Sequence, residues 1–353
     1  MGFGVLFRCL ALAVLGFTPA VIHAAELPCY PPQRYAAPAE APYEAEAVSV
    51  TTRDGYPLAG TLTLPKREAT PLPAVLLITG SGAQTRDMMI DAEAPLSLYQ
   101  PFRQIADTLS RRGIAVLRLD DRGTGCSKGS LEALTTPELA DDARAALEFL
   151  RGRPDLDAGR LGLLGYDEGA DIAVMIAAGG PPVRAAVLMA GSGATGLKIT
   201  EFQHRHLIST GALTGEERGE LAARVDKATL LARRMEKIRQ QQASGQLGRW
   251  MQHYLAYDPI PNARKVTVPV LLLHGREDSQ VPAEHAQILA AAMRAGGNDK
   301  VTVRVLDGLN HLFLEDPYGS FVLYAKLLQS TNQLPESLLT GIGDWLAAAL
   351  APP

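Results

Sequence analysis

Three short stretches carry side chains able to do chemistry, and they occur in an ordered series. The first is Gly165-Tyr166-Asp167-Glu168-Gly169. An apolar run, Leu161 to Leu164, precedes it, and Ala173, Val174 and Ile176 follow at helical spacing. That pattern predicts a strand, a tight turn and a helix, with Asp167 at the tip of the turn. The flanking glycines fit a strained turn that leaves no room for neighbouring side chains. The second stretch, Leu272-Leu273-His274-Gly275-Arg276-Glu277-Asp278-Ser279-Gln280-Val281-Pro282, places Asp278 in the loop after a late strand. The third, Gly308-Leu309-Asn310-His311-Leu312-Phe313, places His311 just after the last strand. A histidine within reach of two carboxyl groups can let one hold its tautomer while it acts as base beside the other. Asp167, Asp278 and His311 are therefore the candidate catalytic residues.

The elements that must position them read as an α/β chain. Val48 to Thr52 and Leu58 to Leu64 alternate around Arg53-Asp54-Gly55, a β-hairpin. Ala74 to Ile78, Ile114 to Leu119, Val183 to Met189, Val268 to Leu273 and Val301 to Val305 are short apolar strands. Helices are expected at Pro101 to Arg112, from Thr136 (as cap) to Leu150, at Pro282 to Arg294 and at Pro335 to Leu350. Such alternation predicts a mostly parallel sheet covered on both faces. Between residues 193 and 265 strand signals vanish and charged helical runs take over. That block is expected to be a helical cap inserted into a core formed by 45–192 and 266–353. Residues 25–44, rich in Pro and Ala, are expected to be an extended linker. Residues 1–24 read as a signal peptide, with Arg8 before an apolar stretch and Ile22-His23-Ala24 at the cleavage site. The expectation is export, to a periplasm or the medium.

Composition narrows the partners. A net charge of −4 over 353 residues gives no basis for nucleic-acid binding. Beyond the signal peptide no apolar run is long enough to span a bilayer. No His/Cys group has zinc-ligand spacing, and no cofactor or metal is expected. The expected partner is a small-molecule substrate. Of the 3 cysteines, Cys9 would leave with the signal peptide; Cys29 and Cys126 remain, either bridged or as two separate thiols.

From Val48 to Leu350 the chain resembles the α/β-hydrolase superfamily, in particular bacterial esterase-like and serine-aminopeptidase-like members. Those members often read Gly-Ser-Gly-Pro-x-Asp-Arg-Asp after the third strand, and this chain has Gly80-Ser81-Gly82-Ala83-Gln84-Thr85-Arg86-Asp87. Their Asp-Asp-Arg-Gly-x-Gly-x-Ser is matched by Asp120 to Ser127. Their Gly-His-Ser-Glu-Gly-Gly appears as Gly165-Tyr166-Asp167-Glu168-Gly169-Ala170, so Asp167 stands where they carry the nucleophilic Ser. The resemblance implies an oxyanion hole from the backbone N–H groups of Ser81 and Glu168. It also implies a structural ion pair between Asp121 and Arg122. Trp250, Tyr254 and Tyr257, at helical spacing, are expected to form cap core. Glu168 is expected either to stabilise its helix N-terminus or to act as an acid/base group.

Asp167 divides the functional expectation. The family implies a carboxylic-ester or acyl hydrolase. A carboxylate attacking an ester carbonyl, however, gives a mixed anhydride that reverses readily. Against a tetrahedral carbon the same carboxylate can open an epoxide, leaving an alkyl ester that His311 and water would clear. Asp-nucleophile members of the superfamily, epoxide hydrolases and haloalkane dehalogenases, commonly carry Asp-Trp at the elbow; this chain has Asp167-Glu168, and the resemblance therefore implies no Trp to hold a leaving halide, which argues against halide displacement. The third alternative is a weak or inactive relative that retains a binding pocket, because two carboxylates around His311 favour imidazolium.

Overall fold

The computed structural model describes residues 27–66, 71–89, 95–131, 134–179 and 182–352. The expected signal peptide lies outside the described residues. The sheet contains β1 (Tyr43–Thr51), β2 (Pro57–Pro65), β3 (Leu72–Ile78), β4 (Ala115–Leu119), β5 (Leu156–Tyr166), β6 (Ala185–Met189), β7 (Val270–Gly275) and β8 (Val301–Leu306). Its order is β1-β2-β4-β3-β5-β6-β7-β8. β1 and β2 join antiparallel, and every pair from β4 onward is parallel. The chain is therefore an α/β fold of the hydrolase type.

Both faces of the central strands are apolar because helices cover both. In β3, Ala74, Leu76 and Ile78 pack on one side and Val75 and Leu77 on the other. The first side is covered by α2 (Thr136–Arg151), α3 (Glu168–Ala177) and α9 (Glu284–Ala295); the second by α1 (Pro101–Arg111) and α10 (Glu336–Ala349). Between β6 and β7 come α4 (Gly196–Ser209), α5 (Gly215–Ala222), α6 (Lys227–Ala243), α7 (Arg249–Ala256) and the short α8 (Ile260–Ala263). A small apolar cluster of Met235, Ile238 and Leu255 ties α6 to α7.

Two expectations need correction. The stretch before β1 is no free linker: Leu27, Tyr35 and Ala41 are buried, and Cys29 is disulfide-bonded to Cys126. Tyr35 lies beneath the Arg86 guanidinium, 4.1 Å from it. Apolar side chains and a covalent tie outweigh the Pro-rich composition. The cap of α2 is Thr135 rather than Thr136, because Glu138 reaches back to the Thr135 N–H at 2.7 Å. The shift frees the Thr136 hydroxyl for a partner elsewhere.

Candidate active site

The parallel strands end along one edge, and the chemistry collects there. Asp167 follows β5 directly and adopts φ 52° and ψ −117°, a left-handed conformation costly for a residue with a side chain. The surrounding contacts hold it. Asp167 N–H donates to the Met189 carbonyl at 2.9 Å. A Cβ on Gly165 would lie 2.0 Å from the Gly169 carbonyl oxygen, and one on Gly169 would lie 2.2 Å from that of Ile78. Only glycine permits so close a crossing of β5, α3 and β3.

The Asp167 carboxylate has two distinct oxygens. Oδ2 accepts a hydrogen bond from the Ser81 backbone N–H at 3.1 Å. Oδ1 faces His311, with 4.0 Å to Nε2. The second expected donor, Glu168 N–H, opens α3 and has no acceptor within that helix. One carboxylate oxygen thus rests on a donor that family resemblance assigns to a substrate oxyanion.

His311 is buried and pairs through Nδ1 with Asp278 Oδ2 at 2.7 Å. Asp278 Oδ1 accepts the N–H groups of Gln280 and Val281, each at 2.8 Å. A second histidine completes its shell: His274 Nε2 is 3.2 Å from Asp278 Oδ2 and 2.9 Å from the Val281 carbonyl. Since both neighbours accept, that nitrogen carries the proton. Burial alone would raise the Asp278 pKa, but the charges and hydrogen bonds of His311 and His274 hold it well below the usual range. Burial alone would lower that of His311; Asp278, with Asp167, outweighs it, and the net shift is upward. Tyr166, next to the elbow tip, donates from its hydroxyl to the His311 carbonyl at 2.9 Å, and its ring meets the imidazole edge-on. Tyr99 similarly donates to the Leu312 carbonyl at 2.5 Å.

The neighbouring acids correct the expectations for Asp121, Arg122 and Trp250. Asp121 and Arg122 do not pair. Asp121 accepts from the Thr79 hydroxyl at 2.7 Å and the Gln84 N–H at 2.9 Å, anchoring the loop that carries Ser81. Arg122 instead forks between Asp142 and Asp54. The same loop is fixed by Arg86, which meets Asp120 at 2.7 Å, and by Asp87 against Arg118. Both residues lie in the turn after β4, where separate partners draw the two side chains apart, so adjacency in sequence did not make Asp121 and Arg122 partners. Trp250 leaves the cap core: its indole N–H donates to Glu168 at 2.9 and 3.1 Å, while its ring stacks on Tyr254. The Thr136 hydroxyl donates to Glu168 at 2.6 Å. Burial pushes the Glu168 carboxyl up in pKa, against these hydrogen bonds. Asp171, one turn further on, is pushed up more strongly by burial and by the charges of Asp167 and Glu168. Its Oδ1 has no hydrogen-bond partner among the described residues.

Sequence reasoning missed Thr136, His274 and Tyr166 as parts of this site. His274 and Tyr166 had a local signal, the first four positions before Asp278 in the same motif and the second beside Asp167 in the elbow; Thr136 had none. Among the described residues no group of three or more His, Cys, Asp or Glu is arranged to hold a metal ion. None of their helices is long and apolar enough to cross a membrane.

Comparison with known proteins assigns the lineage. Residues 97–318 match the family model for serine aminopeptidase, S33. The chain belongs to that family, and it is an esterase-like α/β hydrolase by descent. It is 29% identical over 282 residues to esterase EstD of Thermotoga maritima, a match covering 74% of this chain and 59% of EstD. The chain thus spans less than two thirds of that relative. An uncharacterized Mycobacterium tuberculosis protein is 34% identical over 135 residues, 38% of this chain and 42% of its own length. Among solved structures, the Pyrococcus furiosus esterase Pf2001 superposes with a TM-score of 0.59 at 16% identity, covering 92% of this chain and 98% of its own. Est1E of Butyrivibrio proteoclasticus, solved with ferulic acid bound, gives 0.54 at 16%, covering 87% and 100%. At such identities these superpositions speak to fold alone.

Proposed function

We propose that the protein is a hydrolase in which Asp167 attacks a tetrahedral carbon, opening an epoxide through an alkyl-enzyme ester. The observation that carries this reading is the hydrogen bond from Ser81 N–H to Asp167 Oδ2. An ester substrate would need that donor for its own carbonyl oxygen. Alkyl transfer is supported by that arrangement. Oδ1 forms the new C–O bond while the ring C–O bond breaks. Oδ2 becomes the ester carbonyl oxygen, seated on Ser81 N–H. The opened oxygen takes its proton from solvent water.

The second half-reaction needs His311 as a base. Its raised pKa works against that role while Asp167 is anionic. Alkylation cancels the Asp167 charge, which removes one cause of the upward shift and lets imidazolium release its proton. Neutral His311, oriented by Asp278, then takes a proton from water. Hydroxide adds to Cγ, negative charge collects on Oδ2, and the Cγ–Oδ1 bond breaks as His311 returns its proton to Oδ1, releasing the diol. The water oxygen stays in Asp167.

Single-turnover hydrolysis of a terminal epoxide in heavy-oxygen water tests this. Label is expected in the Asp167 carboxylate, and the product oxygens should be unlabelled. Turnover with unlabelled Asp167 would overturn the reading. Hydrolysis of activated esters by the natural protein, abolished by Asp167→Asn, would favour the acyl chemistry of the lineage instead. We also propose export to an oxidising compartment, which the Cys29–Cys126 disulfide supports.

A further inference from the structure

A cavity of about 340 Å³ opens on the far side of the Ser81 loop. Neither Asp167 nor His311 lines it. Its walls come from β3, the end of β4, the segment before α2, and α2 and α3, through Leu76, Leu119, Leu134, Leu139 and Ile172. Gly80 and Glu168 form the boundary it shares with the site. A Cβ on Gly80 would sit 3.1 Å from the Asp167 Cβ, so the cavity begins one residue's width from the reacting carboxylate. Trp250 of the cap also lines it, while donating to Glu168. The same indole thus holds α7 against the elbow and borders the space.

The chemistry of the walls selects the occupant. The lining is predominantly aliphatic. Its charged groups are Asp120, Asp121, Asp142, Glu168 and Arg122. Arg122 is already matched by Asp142 and Asp54, and Asp120 by Arg86. No unmatched cation is left there to hold an anion. A volume of this size takes about ten methylene-sized groups, at roughly 30 Å³ for a water-sized group.

We propose that this cavity binds the uncharged aliphatic chain of the substrate, with a reach of about eight carbons, while the reacting end sits at Asp167. The inference rests on the proposed function only for the position of that reacting end. Sequence gave no sign of it, because the leucines that line it come from separate elements.

The test uses unreactive amides, measured by calorimetry on the full-length protein after export. Octanamide should bind on the order of 100-fold more tightly than butanamide, at roughly fourfold per buried methylene. Leu134→Trp and Ala143→Leu narrow the cavity from a loop and from a helix. Each should weaken octanamide at least about tenfold and leave butanamide unchanged, by the same area argument. Equal affinity for both amides in the natural protein would overturn the proposal. So would unchanged octanamide affinity in a narrowed variant whose melting temperature matches the parent. If either variant fails to fold, the natural protein's chain-length dependence still decides. Amide binding requires no turnover, so chain-length-dependent affinity with unlabelled Asp167 would retain the cavity and reject the epoxide chemistry.

Discussion

Replacing Asp167 by Asn imitates the charge of the alkyl-enzyme while keeping the shape of the side chain. The proposed sequence of steps requires His311 to become a stronger acid when that happens. Asp167 Oδ1 is 4.0 Å from His311 Nε2, with side-chain exposures of 19% and 3% respectively. Two unit charges at this distance interact by about 1 kcal/mol in water and about 4 kcal/mol at an effective dielectric constant of 20. The site lies between those limits. Removing an interaction of that size, Asp167→Asn should lower the His311 pKa. The assay is an NMR titration of the imidazole Hε1 resonance, assigned by its loss in His311→Gln. Stability supplies an independent readout. A histidine whose folded pKa is raised adds stability that is present below its unfolded pKa and lost as pH rises through the folded value. Asp167→Asn reduces that contribution, so it should cost more stability at pH 6 than at pH 9. A His311 pKa left unchanged by Asp167→Asn would refute the coupling. It would also remove the argument that alkylation switches His311 to a base.

Asp171 has its pKa raised by burial and by Asp167 and Glu168, so its contribution to stability is present at low pH and lost as pH rises through the folded value. Asp171→Asn should therefore raise the melting temperature at pH 8 and change it little at pH 4, as followed by scanning calorimetry. The Cys29–Cys126 bridge spans 97 positions, and by the chain-entropy relation Cys126→Ala should cost about 4.7 kcal/mol in denaturant unfolding. Gly169→Ala would drive a methyl group to 2.2 Å from the Ile78 carbonyl oxygen, and it should cost more than about 3 kcal/mol or prevent soluble expression.

The succession of strands along the chain, the position of the elbow and the sequence order of Asp167, Asp278 and His311 were legible in the chain because each depends on local patterning. Apolar runs, glycines around a strained tip and turn residues after a strand are written within a few positions of one another. The loop around Ser81 was likewise visible as a motif. Its anchoring was not, because Asp121, Arg86 and Arg118 each had several oppositely charged neighbours available by sequence. The structure separates Asp121 from Arg122 by giving the first to Thr79 and Gln84 and the second to Asp54 and Asp142.

Sequence alone determined that a carboxylate occupies a position built for a hydroxyl nucleophile. It also determined that this carboxylate is followed by Glu168 and accompanied by a histidine and a second acid. Tertiary structure decided what each oxygen of Asp167 faces. Oδ2 rests on Ser81 N–H and Oδ1 looks toward His311. It also decided that Trp250 crosses from the cap to hold Glu168, and that Cys29 meets Cys126. The physical reason is the same in each case. A hydrogen bond or a disulfide requires atoms within a few ångströms, and these pairs lie on elements far apart in sequence. Only the packing of those elements against one sheet sets their separation.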